Sequence, residues 1–205
     1  MSEKARSRRQ NLVRESIYDS ALTLFAKNGF DDTTLEEVAQ AAGISRRSFF
    51  RYFASKDDLL ARSVVDYGKV LTEAIAACPP SLTPFQVVQV TVMTGVRHNV
   101  AQPNLREIIN IASHSTNAQQ AYGSRLREVE SALASAYSSR LQTASGYTMM
   151  PWLLATLTLS VMNTALVSWY SGEQKDLPAA ASEVFRVLSD MIVSDSSLKA
   201  QKQKP

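Results

Sequence analysis

The chain has 205 residues, of which 45% are hydrophobic and 20% charged, with a formal net charge of +3 at neutral pH. That balance excludes a disordered polyelectrolyte and predicts a folded protein, long enough for one large domain or two small ones with cores of their own. A single cysteine, Cys78, excludes an internal disulfide and any multi-cysteine metal site.

The small net charge hides an uneven distribution. Lys4, Arg6, Arg8, Arg9 and Arg14 are opposed only by Glu3 before Glu15, and Arg46, Arg47 and Arg51 form a second basic group. Residues 1–10 read as a flexible basic arm, compatible with phosphate binding, the competing reading being a solvated tail. No apolar stretch follows MSEKARSRRQ, so a secretory signal is not expected. The apolar run from Met149 to Val167 is interrupted by Pro151, Asn163 and several threonines, which predicts a buried helix rather than a membrane span. A cytoplasmic protein is expected.

Strand-like alternation is nearly absent and helical spacing recurs from end to end, so the fold class is all-α. Val13, Ile17, Ala21, Leu24 and Phe25 share one face of a first helix that stops at Asn28-Gly29. Thr34-Leu35-Glu36-Glu37 has the form of a capping box, and Leu35, Val38, Ala39 and Ala42 at helical spacing give a second helix about two turns long. Gly43 suits a tight backbone turn and Ser45 an N-cap, opening a third helix from Arg46 to Phe53. On it, Phe49 and Phe53 are four apart and can share an inner face, leaving Arg46, Arg47, Ser48, Phe50, Arg51 and Tyr52 on the others. Ser55 caps a fourth helix whose first turn carries Asp57 and Asp58, and Pro79-Pro80 ends it.

Two short helices joined by a glycine-containing turn, the second with an arginine-rich outer face, make a helix-turn-helix. In that arrangement the second helix enters the DNA major groove. Arginine is chemically apt there because its planar fork can bond both guanine acceptors at once, while ring groups can meet thymine methyls. The competing reading is a solvated basic face on an ordinary helical domain.

The residues ALTLFAKNGFDDTTLEEVAQAAGIS and FFRYFASKDDLL closely resemble the DNA-binding domain of the TetR family of bacterial transcriptional regulators. The likeness runs over residues 11–60. It implies that Thr34, at the opening of the second helix, bonds a phosphate, and that Ser48, Tyr52 and Lys56 sit at phosphate-contacting positions. By the same resemblance, base reading falls to Arg46, Arg47 and Phe50. Many relatives carry tyrosine where this chain has Phe50, so a phosphate bond is replaced by an apolar contact. Phe49, Phe53, Leu24, Phe25, Val38 and Ala39 are expected in the core.

From Ser81 onward no family motif guides the reading. Thr83-Pro84 opens a helix through Val96, with further helices over 105–111 and 118–141. A strongly apolar one follows Pro151 and closes at Ser171-Gly172, and a last one starts at Pro178. Residues 61–194 are expected to form an effector-binding and dimerisation domain, and 195–205 a disordered tail. Two of these helices are apolar over more than one face, which calls for a partner surface. The resemblance implies a homodimer through the last two helices, which would bind an inverted-repeat operator in double-stranded DNA. It also implies a small-molecule effector inside the second domain, and the methionines there suit an apolar or amphipathic one. Candidate contacts are Met93, Arg97, Asn110, Tyr122, Met162, Asn163 and Trp169.

An enzyme is not expected. The seven glycines are too scattered for a phosphate-cradling loop, Cys78 has no sequence-neighbouring activator, and the two histidines, His98 and His114, do not suggest a metal site, so no cofactor or metal is expected. The remaining alternative is a helical protein-interaction or nonspecific DNA-coating module without effector control.

Overall fold

In the computed structural model, which describes residues 3–141 and 149–201, every described element is a helix. In chain order they are α1 (Glu3–Asn28), α2 (Leu35–Ala41), α3 (Arg46–Phe49), α4 (Lys56–Ala77), α5 (Pro84–Val100), α6 (Leu105–His114), α7 (Thr116–Leu141), α8 (Met149–Tyr170) and α9 (Leu177–Gln201).

Three expectations are corrected. The basic segment is helical from Glu3 onward rather than a flexible arm, because it continues α1 without a break. Regular α-helix in the third helix ends at Phe49; beyond it the chain tightens, with Arg51 N–H donating to Ser48 O and Tyr52 N–H to Phe49 O in three-residue turns. Helix α9 runs to Gln201, into the segment expected to be a disordered tail. Residues 1–2 and 202–205 lie outside the described residues.

The chain divides into two compact units. The first comprises residues 1–66 and 103–128, the second 67–102 and 129–205, so α4 and α7 each contribute to both. The sequence suggests a single cut near residue 60, whereas the first unit also takes in α6 and the start of α7. Helices of seven and four residues are too short to persist alone and need a scaffold. Ile17, Ala21, Leu22 and Phe25 of α1, Ile108 and Ile111 of α6 and Ala118 of α7 supply it, packing with Phe30, Val38, Ala39, Phe49, Phe53, Leu59 and Leu60. Leu24, expected in that core, is half-buried against it. The rings meet edge-on or tilted, Phe25 with Phe30 at 5.0 Å and Phe49 with Phe53 at 6.0 Å between centroids. Arg62 of α4 lies 4.9 Å from the centre of the Tyr18 ring of α1 and bonds Glu15.

In the second unit α5 packs on α8 and α9, and α8 on α9. Gly95 lets α4 and α5 approach closely, since a Cβ there would come within 2.7 Å of the Tyr67 hydroxyl and 2.8 Å of Leu71. The interior is not wholly apolar: Thr91, Asn99 and Thr158 are buried among Val88, Val92, Val96, Leu133, Ala155 and Val161. Helix α8 is long and apolar enough by composition to cross a membrane. One face, from Pro151 through Leu154, Val161 and Ala165, is buried in this unit, and the solvent face carries Thr156, Ser160, Asn163 and Thr164 between Leu153 and Val167.

Candidate nucleic-acid interface

The first unit builds its surface from local backbone chemistry. Helix α2 opens on a complete capping box: Glu37 N–H donates to Thr34 Oγ1 at 3.2 Å, and Thr34 N–H donates to the Glu37 carboxylate at 2.7 Å. These bonds hold the Glu37 carboxyl below the usual carboxylate range, the Thr34 backbone contributing most and its hydroxyl next. The far end of α2 closes on Gly43, whose φ of +67° is left-handed backbone that disfavours a side chain. Ile44 N–H reaches back to Ala39 O at 2.9 Å and Gly43 N–H to Gln40 O at 3.0 Å, a Schellman closure. Ser45 then starts α3 by accepting from Ser48 N–H at 3.2 Å.

This frame sorts the side chains of 46–53 by face. Phe49 and Phe53 are buried, while Arg46, Arg47, Phe50 and Arg51 are exposed, Phe50 by 48%. The Phe50 ring stands edge-on to Phe49 at 5.6 Å, so the core fixes the outer ring. Arg46 is paired with Glu36 of α2 at 2.5 Å and also lies 5.8 Å from the Phe50 ring centre. Both partners of that pair are more than half exposed, so it is weak and a stronger anion can displace it. Among the described residues Arg47 takes part in no salt bridge. Glu36 carries no sequence signal for this role, because it is ten positions from Arg46 and meets it only through the turn at Gly43.

The positions expected to bond phosphate divide. Thr34 is exposed with its cap formed. Ser48 is half-buried and accepts from the Ser45 hydroxyl at 3.1 Å. Tyr52 is half-buried against the core, with Arg51 5.8 Å from its ring centre. Lys56 is turned inward: its Nζ donates to Phe30 O at 2.6 Å, Asp31 O at 3.0 Å and Thr33 O at 3.1 Å. An ammonium has three donors, and all three are engaged.

The residues expected around an effector are not brought together in one unit. Asn110 and Tyr122 belong to the first, where Tyr122 packs on the ring core and burial raises its phenol. The other five belong to the second. Of these Met162 is buried and its sulfur accepts from Asn99 Nδ2 at 3.7 Å, Met93 and Trp169 are half-buried, and Arg97 and Asn163 are exposed. Arg97 donates to the Thr94 hydroxyl at 2.8 Å.

Sequence reasoning missed the buried polar line in the second unit. Thr158 Oγ1 donates to Leu154 O at 2.7 Å, so the Tyr137 hydroxyl, 2.8 Å away, is the donor to Thr158. Burial raises the Tyr137 phenol, partly offset by the hydroxyls of Thr158 and Thr91. Thr91 Oγ1 is close enough to influence that ring but makes no bond of hydrogen-bonding geometry. A threonine in a helix reads as neutral in sequence; only packing reveals that these are enclosed. No group of three or more His, Cys, Asp or Glu able to hold a metal occurs among the described residues.

Residues 17–62 match the family described as bacterial regulatory proteins, tetR family. A 50-residue stretch is 48% identical to MftR of Mycobacterium tuberculosis, a candidate mycofactocin biosynthesis transcriptional regulator, covering 24% of this chain and 25% of that protein. The likeness thus spans about a quarter of that relative's length. A longer alignment, 24% identical over 181 residues, covers 85% of this chain and 80% of the HTH-type transcriptional regulator TcmR of Streptomyces glaucescens. The fold is also that of the regulator FadR from Bacillus subtilis, solved in complex with stearoyl-CoA, with a TM-score of 0.59 at 17% identity over 85% of this chain and 96% of that one. With a Schellman turn, a capped α2 and a short arginine-bearing α3 on a ring core, residues 17–62 of this chain match the DNA-binding domain of the tetR family of bacterial regulatory proteins.

Proposed function

We propose that the chain is a homodimeric, effector-responsive repressor that reads an inverted-repeat operator in the cytoplasm. One observation carries the reading: Arg46 and Arg47 of α3 and Phe50 at its C-cap project to solvent, while Phe49 and, past the helix end, Phe53 are locked into the core. Rigid presentation of two guanidinium forks and a ring is what major-groove reading requires. Arg46 releases Glu36 on meeting DNA, Arg47 supplies the base contact, and Phe50 meets a thymine methyl. Thr34, Ser48 and Tyr52 border this face as phosphate contacts.

The homodimer is assigned to α8 and α9. Trp152, Leu153 and Val167 are 51%, 62% and 60% exposed, and Val187 and Met191 of α9 are 43% and 65%. So much exposed apolar side chain on two neighbouring helices is stable in water when a second copy covers it. Such a pair would set two recognition helices about 34–36 Å apart, on successive major-groove turns. Residues 11–60 are the reading head in this scheme and 61–194 the responding domain. The effector is placed in the second unit, where Met93 and Met162 supply adaptable apolar lining and Thr91 an enclosed hydroxyl, which favours an amphipathic molecule. An effector releases DNA only by binding one dimer geometry better than the other.

The test is competition binding. A library of genomic duplexes selected on the chain should yield an inverted repeat preferred over bulk DNA by about 10³ or more. Equal affinity for bulk DNA points instead to a coating protein, and no affinity for either points to a protein-interaction module. Leu153→Glu with Val167→Glu should give monomers by sedimentation and lose the inverted-repeat preference.

A further inference from the structure

We propose that Lys56 is a positioning residue for the DNA-facing cap of α2 and not a phosphate ligand. The inference rests on the DNA-reading function assigned above and changes what one of its basic residues does.

The corner between α1 and α2 is closed from several sides at once. Gly29 turns the chain with φ of +91°, and its N–H bonds Phe25 O at 3.0 Å. The hydroxyl of Thr33, itself buried, donates to Gly29 O at 2.7 Å. Into this loop reaches Lys56, from the first residue of α4, collecting the carbonyls of Phe30, Asp31 and Thr33. The ammonium also lies 4.7 Å from the centre of the Phe30 ring. Outside the loop, Asn117 of α7 donates to the Asp31 carboxylate at 2.7 Å.

Two consequences follow from that geometry. All three ammonium hydrogens are spent on carbonyls, so a phosphate oxygen could be bonded only by breaking one; the bonds to Phe30 O and Thr33 O are part-buried and costly to break, while the one to Asp31 O is exposed. The last carbonyl held, that of Thr33, belongs to the peptide that joins it to Thr34. Thr34 in turn is the exposed cap of α2. Lys56 therefore fixes where the Thr34 hydroxyl and N–H stand on the DNA face, through the backbone rather than through its charge.

The alternative roles separate by salt. A lysine that neutralises a phosphate adds about 0.9 to the slope of log K against log salt, whereas one that positions a neighbour changes affinity and leaves the slope alone. They also separate by substitution, because arginine keeps the charge but its larger planar fork cannot gather three carbonyls around one nitrogen. Fluorescence anisotropy on a mixed-sequence duplex of about 30 base pairs, over a range of KCl, is the measurement. Wild-type protein that fails to bind this duplex at low salt refutes the DNA-reading function itself, and does so before any variant is tested. Given wild-type binding, Lys56→Met and Lys56→Arg should both bind about tenfold more weakly, as expected for one lost positioning interaction, with the wild-type slope kept. A slope flatter by about 0.9 in Lys56→Met, or full affinity in Lys56→Arg, overturns the proposal. The side-chain ¹⁵Nζ resonance of Lys56 in the unmutated protein gives an answer even where a variant does not fold. It should be visible without DNA and stay in place when duplex is added; a shift on binding overturns the proposal.

Discussion

The two units bury different things. The first closes a ring core under a surface whose polar groups are committed to the backbone: Thr34 and Glu37 to each other, Ser45 to α3, Lys56 to three carbonyls. The second encloses hydroxyls and an amide and leaves apolar side chains of α8 and α9 in solvent. A head that must present a few side chains at fixed spacing gains from rigidity. Under the function proposed above, the buried polar groups of the second unit would meet a ligand and its exposed apolar ones a second copy. The difference teaches that the head closes its own core, whereas the second unit leaves apolar side chains of α8 and α9 that a second copy would cover under that proposal.

That contrast can be broken most strongly at Phe49. Phe49→Ala removes a fully buried ring and should cost about 3–5 kcal/mol of the first unit's stability, read by chemical denaturation; a loss below about 1 kcal/mol means that the ring core does not carry the head. Next is Arg47→Ala, expected to cost about 1–3 kcal/mol on the selected operator and to relax preference at one base position. If binding to random duplex falls equally, Arg47 is a phosphate contact.

Thr34→Ala removes the cap of α2 and should lower stability by about 1 kcal/mol. The same box carries a pH signature. Because the Glu37 carboxyl lies lower in the folded chain than in the unfolded one, its contribution is complete above the ordinary glutamate range, about 4.3, and is lost as pH falls through the folded value. Wild-type denaturation between neutral pH and pH 3 should show that loss, and Thr34→Ala should blunt it. The smallest effect is expected in the second unit. Thr91→Val replaces a buried hydroxyl without a bond of its own by a methyl of the same shape, and should leave thermal stability unchanged or slightly higher. A drop of about 1 kcal/mol or more would mean that the hydroxyl is already serving the fold and is not held in reserve for a ligand.

Much of the head was legible because its signals are local. A threonine three residues before a glutamate, a glycine after a short apolar run and two phenylalanines four apart depend on backbone geometry within a turn or two. The structure returns them as the box at Thr34, the left-handed Gly43 and the buried pair Phe49 and Phe53. What Lys56 does was not legible, since its carbonyl partners lie 23 to 26 residues earlier. The effector candidates were chosen for polarity on helical faces, and polarity does not say which face is enclosed. Asn110 and Tyr122 consequently fell in a different unit from Met93 and Met162.

The amino-acid order by itself determined an all-helical chain, the helix-turn-helix and its arginine-bearing outer face, because caps, left-handed turns and apolar periodicity are set within a few residues. Only the tertiary structure decided that α6 joins the head, that Arg46 rests on Glu36, that Lys56 points inward and that Thr91, Tyr137 and Thr158 lie together. Those outcomes depend on which distant side chains compete for the same carbonyl, carboxylate or volume, and that competition exists only once the chain is folded.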